Sequence, residues 1–199
     1  MTRFLPSLLC ALALAVPSTL RAADDAEAQA KAMQQMMELS KPGKEHAQLA
    51  KLVGTWDATV KAYMKPGASP EESKGSAVYT MISDGRFLRS EFKGQMMGMP
   101  FTGTGLDGYD RVRGAYVATW MDSMSTGLMF ETGVSKDEGK TIEYTGEVGD
   151  CMAPGKTVKV RTVVTHTSDD AFTYAMYQTR AGEKEAQCLE ITYTRAKGK

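Results

Sequence analysis

Charged and hydroxyl side chains set among strand-like residues are the first candidates for chemistry in this chain. Glu91, Glu131, Glu147, Arg161 and Glu190 each interrupt an alternation of apolar and polar residues. Turned inward, Arg161 paired with a carboxylate could orient a polar group of a ligand, and Tyr109, Tyr144 and Tyr193 could donate hydrogen bonds to it. Turned outward, the same charges would be a solvated face. Methionine is the compositional outlier, at 14 of 199 residues. Met96, Met97 and Met99 fall in one segment, Met121 and Met124 beside another, and Met152 in a third. Thioethers are soft ligands that suit Cu(I). They also form flexible apolar lips that adapt to varied ligands, which is the plainer expectation.

Several chemistries lack their residues. With two histidines, His46 and His166, and three cysteines, a multi-ligand zinc or iron site is not expected. No spacing ties His166 to an activated serine or thiol, so no catalytic residue is assigned. Gly103, Gly105 and Gly108 precede no helix; glycines at alternate strand positions permit bends or close packing and are not a phosphate loop. No cofactor or metal is therefore expected. The formal net charge of zero provides no general field for nucleic acid. No run of 18 or more apolar residues exists to form a transmembrane segment.

The elements that must position these side chains change in kind along the chain. Residues 1–22 have the form of an export signal: Arg3, an apolar stretch from Phe4 to Val16, then a polar exit with Leu20 and Ala22 at −3 and −1 of a cut before Ala23. Loss of Arg3 and Arg21 would leave the chain at −2, and a periplasmic or secreted location follows. Leu8-Leu9 before Cys10 is not the small-residue context of a lipidated cysteine. Cys151 and Cys188 would remain, in an oxidising compartment, and a disulfide between them is expected, with two isolated thiols as the alternative. Asp24 to Leu39 reads as a helix whose Met33, Met36 and Met37 form a narrow stripe, ended by Pro42-Gly43. A second short helix spans Lys44 to Val53, with His46 packed or capping rather than ligating. The organisation expected is a signal at 1–22, a helical extension at 23–43 and a barrel domain at 44–199.

From Gly54 the period becomes two. Trp56, Ala58, Val60, Ala62 and Met64 alternate with largely polar neighbours, and nine further strands follow near 74–82, 86–94, 101–109, 115–122, 126–134, 141–148, 156–166, 171–178 and 187–195. Evenly spaced strands without intervening helices imply an antiparallel up-and-down meander, and ten of them can close into an all-β barrel that leaves no edge. The compact turns 83–85, 110–114, 135–139 and 167–170 then lie at one end. The longer connections 66–73, 95–100, 122–125, 149–155 and 179–186 surround the other.

Gly54-Thr55-Trp56 after a short helix resembles the G-x-W signature of lipocalins and other calycins. In those folds an arginine from the last strand covers the tryptophan, and Arg195 of Thr192-Tyr193-Thr194-Arg195 holds that place. A wider resemblance covers Glu45 to Arg195. It is carried by Leu52-Val53-Gly54-Thr55-Trp56, Asp84-Gly85-Arg86-Phe87, Gly94 to Phe101, Gly108-Tyr109-Asp110, Thr119-Trp120-Met121-Asp122, Thr126-Gly127 and Ile191 to Arg195. These segments resemble a bacterial lipocalin-like family, domain-of-unknown-function family 1579. The resemblance implies a calycin-like barrel closed by Trp56 and Arg195, and no activity.

The expected function is binding of a small, largely apolar molecule inside the barrel. Trp56, Ala58, Val60, Ala62, Met64, Tyr109, Trp120 and Arg161 would line it, with Met96, Met97, Met99 and Met121 at a mouth over Met96–Pro100. A barrel enzyme using interior Tyr, Arg and Glu is one alternative. A structural or partner-binding envelope protein using the N-terminal helix is another.

Overall fold

The computed structural model describes residues 18–197. The chain divides into two units at Ser40/Lys41. The first carries helix α1 (Ser18–Leu39). Its alanines, glutamines, glutamates and methionines all favour helix, Lys31 pairs with Glu27 one turn away at 2.8 Å, and Ser40 N–H bonds to the Met36 carbonyl at its end. Met33, Met36 and Met37 are each more than half exposed. The export signal expected over 1–22 falls largely outside the described residues. Among those residues, no helix is long and apolar enough to cross a membrane.

The second unit opens with helix α2 (Lys44–Ala50), one turn shorter than expected. His46 is its cap: the Gly43 N–H donates to His46 Nδ1 at 3.0 Å, satisfying a donor that the first turn of a helix leaves free. Ten strands follow: β1 (Gly54–Ala62), β2 (Glu71–Ile82), β3 (Phe87–Met96), β4 (Met99–Asp110), β5 (Ala115–Asp122), β6 (Met129–Val134), β7 (Thr141–Gly149), β8 (Thr157–Ser168), β9 (Ala171–Thr179) and β10 (Ala186–Arg195). Each pairs antiparallel with its sequence neighbours, and β1 pairs with β10, so the sheet closes into a barrel. Closure satisfies every strand edge, which an open ten-stranded sheet would leave exposed.

One end is tight. Ser83, Asp84 and Gly85 turn in left-handed geometry between β2 and β3, and β8 meets β9 across Asp169-Asp170. The other end carries the longer connections, with one correction. The segment around Met96–Pro100 is not a loop: β3 and β4 run to Met96 and Met99, joined by Met97 and Gly98 at φ 51° and 72°. Paired positive φ values match the twist of a two-residue hairpin, so the ladder continues to its tip.

The tight end is plugged from outside and within. Trp56, 1% exposed, donates from Nε1 to the Leu52 carbonyl at 2.7 Å and meets Phe172 edge-on at 4.8 Å. The Arg195 guanidinium lies 4.3 Å from the Trp56 ring centre. It also donates to the carbonyls of Val53 at 3.0 Å and Lys51 at 3.1 Å, and to Asp169 at 2.9 Å. One cation thus ties the segment before β1, the end of β10 and the β8–β9 turn together.

Candidate functional site in the barrel interior

In a closed barrel, alternate residues of every strand face inward. Between Trp56 at the tight end and Phe92, Phe101 and Trp120 toward the open end, those positions carry a mixture of small and polar side chains. Ala58, Ala77, Ser90, Gly105 and Ala118 come from β1 to β5. Glu131, Tyr144, Thr162, Tyr174 and Tyr193 come from β6 to β10. Asp107 of β4 and Tyr79 of β2 join them.

Two acids turn into this interior. Asp107 pairs across the ladder with Ala118, and Ala118 with Glu131, so one small residue separates two inward carboxyls. Glu131 is 2% exposed, and the Thr162 hydroxyl donates to it at 3.0 Å. Burial pushes its pKa up, partly offset by that hydrogen bond. Asp107 accepts no hydrogen bond and faces no cation; burial first, and then the Glu131 charge, pushes it up to about 7. Removal from water penalises the charged form, and a like charge adds to the penalty.

Phenols surround the acids. Tyr79 and Tyr193 engage one another through their hydroxyls, their rings 6.2 Å apart. Tyr174 reaches the Met176 sulfur at 3.7 Å. Tyr144 is 2% exposed, lies against Gly133, where a Cβ would come within 2.5 Å of its ring, and its hydroxyl has no hydrogen-bond partner. Burial raises the pKa of all four phenols, and the field of Asp107 adds to this at Tyr79, Tyr144 and Tyr193. They are neutral donors at any physiological pH. Asp107, Tyr79 and Tyr174 point inward yet retain accessible surface, so side chains do not fill the space they face.

The structure sorts the residues expected from sequence. Trp56, Ala58 and Val60 face inward and are buried, and Ala62 faces inward at the open rim. Met64 does not belong to the lining: β1 ends at Ala62, the chain leaves the ladder, and Met64 is 68% exposed. Met96 packs against the core. Met97 and Met99 flank the hairpin tip, and Met121 alternates outward beside Trp120; all three are exposed. Trp120 faces inward, stacked on Phe101 at 6.5 Å, and occupies the space left by Gly103, where a Cβ would lie 2.1 Å from its ring. Tyr109 faces inward too, but in the tight-end plug against Tyr116 at 5.0 Å and His46 at 6.2 Å.

Arg161 faces outward, against the expectation of an interior arginine. Its neighbours Val160 and Thr162 take the inward positions. Arg161 stacks over Tyr177 at 4.2 Å and holds both oxygens of Glu185 at 2.7 and 2.9 Å. Glu147 and Glu190 also face outward, to Thr157 and Lys61, and Glu91 pairs with Arg89. Glu131 alone of the flagged acids turns inward. Asp107, Tyr79, Tyr174 and Thr162 were missed. Parity could have found Asp107, since it alternates with Gly103, Gly105 and Tyr109.

The cysteines are not bridged. Cys151 is exposed and Cys188 half-buried, both as free thiols. Cys151 lies in the β7–β8 connection and Cys188 on β10, with β9 between. Cys188 Sγ donates to the Met176 carbonyl at 3.3 Å, and burial pushes its thiol up to about 11.

Two depressions open elsewhere: about 380 Å³ beside Arg161 and Glu185, and about 260 Å³ between α2 and the turns at 137–140 and 166–169. Neither includes residues 96–100, where the mouth was expected. Among the described residues no group of three or more His, Cys, Asp or Glu could hold a metal.

No curated protein matches the chain in sequence. Among solved structures, it is similar to Rv2717c from M. tuberculosis, at 16% identity and a TM-score of 0.53, covering 79% of this chain and 100% of that one. It is similar also to the S-type phycobiliprotein lyase CPES from Guillardia theta, at 13% identity and a TM-score of 0.51, with the same coverage. At these identities the likeness is one of fold. Residues 41–195 match the model described as Protein of unknown function (DUF1579), and the chain belongs to that family.

Proposed function

We propose that this protein is an exported barrel that binds a small molecule with an apolar body and a polar group in its interior. The observation that carries this is the accessible surface that Asp107, Tyr79 and Tyr174 retain at inward positions, with apolar rings toward either end. Ligand sites commonly have that make-up: mostly apolar walls with a few convergent polar groups. The expectation of a largely apolar ligand is thereby narrowed to one with a polar group. The alternative of a barrel enzyme loses one of its three components, since Arg161 faces outward. Export rests on the leader-like residues 1–22, and the mature chain should start at Ala23 on N-terminal sequencing of periplasmic material.

Nile red, a neutral dye whose emission rises in apolar surroundings, tests the binding. It should bind with a blue-shifted emission, and Ala118→Phe, which fills the space between Asp107 and Glu131, should weaken it without lowering the melting temperature. Native mass spectrometry of protein from its own host should show a bound small molecule. Absence of both dye binding and a copurified ligand would overturn the proposal.

A further inference from the structure

The interior is acidic without an internal counter-charge. Among the described residues, the inward positions of the ten strands carry no lysine. Their arginine, Arg195, is committed at the tight end to Trp56 and backbone carbonyls. Asp107 has neither a donor nor a cation beside it. A carboxyl withdrawn from most of its water in that state is costly whichever form it takes: ionised it lacks a partner, and neutral it leaves a donor unmet. A second group makes the same point independently. The Tyr144 side chain is 2% exposed, its hydroxyl makes no hydrogen bond, and it lies within the field of both Asp107 and Glu131. Four tyrosine rings bound the same space, and aromatic faces attract cations in desolvated sites.

Resting on the ligand-binding proposal above, we infer that the barrel's occupant carries a cationic nitrogen, an amine on an apolar body. Its N–H groups donate to Asp107 and Glu131 and to the Tyr144 oxygen, with the rings of Tyr79, Tyr144, Tyr174 and Tyr193 around it. Such charge-assisted hydrogen bonds are roughly twice as strong as neutral ones. Binding is also linked to protons. The groups facing Asp107 are Tyr79 from β2, Glu131 from β6, Tyr144 from β7 and Tyr193 from β10; Leu88 and Ala118 flank it on β3 and β5. The phenols stay neutral, so the carboxyls alone titrate. A cation draws Asp107 into its ionised form, and the displaced proton goes to solvent. Affinity for the amine therefore rises between about pH 6 and 8.

The test uses three probes of one shape on the full-length mature protein: 4-phenylbutylamine, 4-phenylbutan-1-ol and 4-phenylbutyrate. Calorimetric titration at pH 8 should show the amine bound at least about tenfold more tightly than the alcohol, a difference of about 1.4 kcal/mol, with the carboxylate not bound. Repeating the amine titration at pH 6 in buffers of different ionisation enthalpy should show net proton release. Asp107→Asn should lower the amine's affinity far more than the alcohol's and so erase most of the amine's advantage. Equal or tighter binding of the alcohol or carboxylate by the wild type would overturn the inference. So would an undiminished amine preference in both Asp107→Asn and Glu131→Gln. Nile red bound without any preference among the three probes would overturn the cation and leave the ligand site standing. No binding of dye or probes would overturn both.

Discussion

Replacing Asp107 by asparagine should stabilise the protein most at pH 8, progressively less toward pH 5, and hardly at all below about pH 4. An aspartate titrates near 3.8 in the unfolded chain and at about 7 inside this barrel. Each pKa unit corresponds to about 1.4 kcal/mol, so the ionised carboxyl carries a penalty of up to about 4 kcal/mol. Asp107 retains some accessible surface, and water there offsets part of this, which leaves an expected gain of about 2–3 kcal/mol for Asp107→Asn at pH 8. The sign follows from proton counting. With its pKa raised in the folded state, the folded protein binds more protons than the unfolded chain between about pH 4 and 7. The contribution is complete below the unfolded pKa and lost as pH rises through the folded one. Glu131 acts in the same sense, since burial raises it too. His46 and His166 act in the opposite sense, because burial lowers both. Their contribution grows as pH climbs toward 6.5. Both histidines are present in wild type and variant alike, so the difference between the two isolates Asp107. Urea unfolding at pH 5, 6, 7 and 8 gives the two profiles. Parallel profiles would refute the placement of Asp107 in a desolvated, unpartnered site.

Trp56→Ala should cost about 3–5 kcal/mol, as large aromatic truncations in cores do. Arg195→Ala should cost less and shift the tryptophan emission, and unchanged emission would contradict the 4.3 Å stacking. Thiol titration of the native protein at pH 8 should modify Cys151 rapidly and Cys188 only on unfolding, because Cys188 is half-buried with its pKa pushed up to about 11. Equal reactivity of the two thiols would contradict that environment.

Local chemistry made most of the barrel legible. Period-two alternation from Gly54, the turn residues Ser83-Asp84-Gly85 and Asp110 to Gly114, and the absence of helical periods between strands are signals written in adjacent residues. They specify antiparallel hairpins before any long-range contact forms. The pairing of Trp56 with Arg195 was legible through a resemblance, because both residues sit at fixed positions on the first and last strands. Met97-Gly98 was less so: a methionine in left-handed geometry is uncommon, and the methionines around it suggested a loop.

The interior site depended on closure itself. Parity states which residues share a face, but not which face is inside when both carry polar groups. Arg161 alternates with Val160 and Thr162, and only the neighbouring Tyr177 and Glu185 gave its guanidinium a place outside the barrel. Asp107 and Glu131 are 24 residues apart in sequence. They face one space because β5 contributes an alanine between them. Gly103 read from sequence as a place for bends or close packing, and it is the Trp120 ring that occupies its vacancy, as the Tyr144 ring occupies that of Gly133. The sequence by itself determined strands and turns, since these rest on neighbours along the chain. Tertiary structure decided which polar groups were removed from water together, since desolvation depends on what all ten strands enclose.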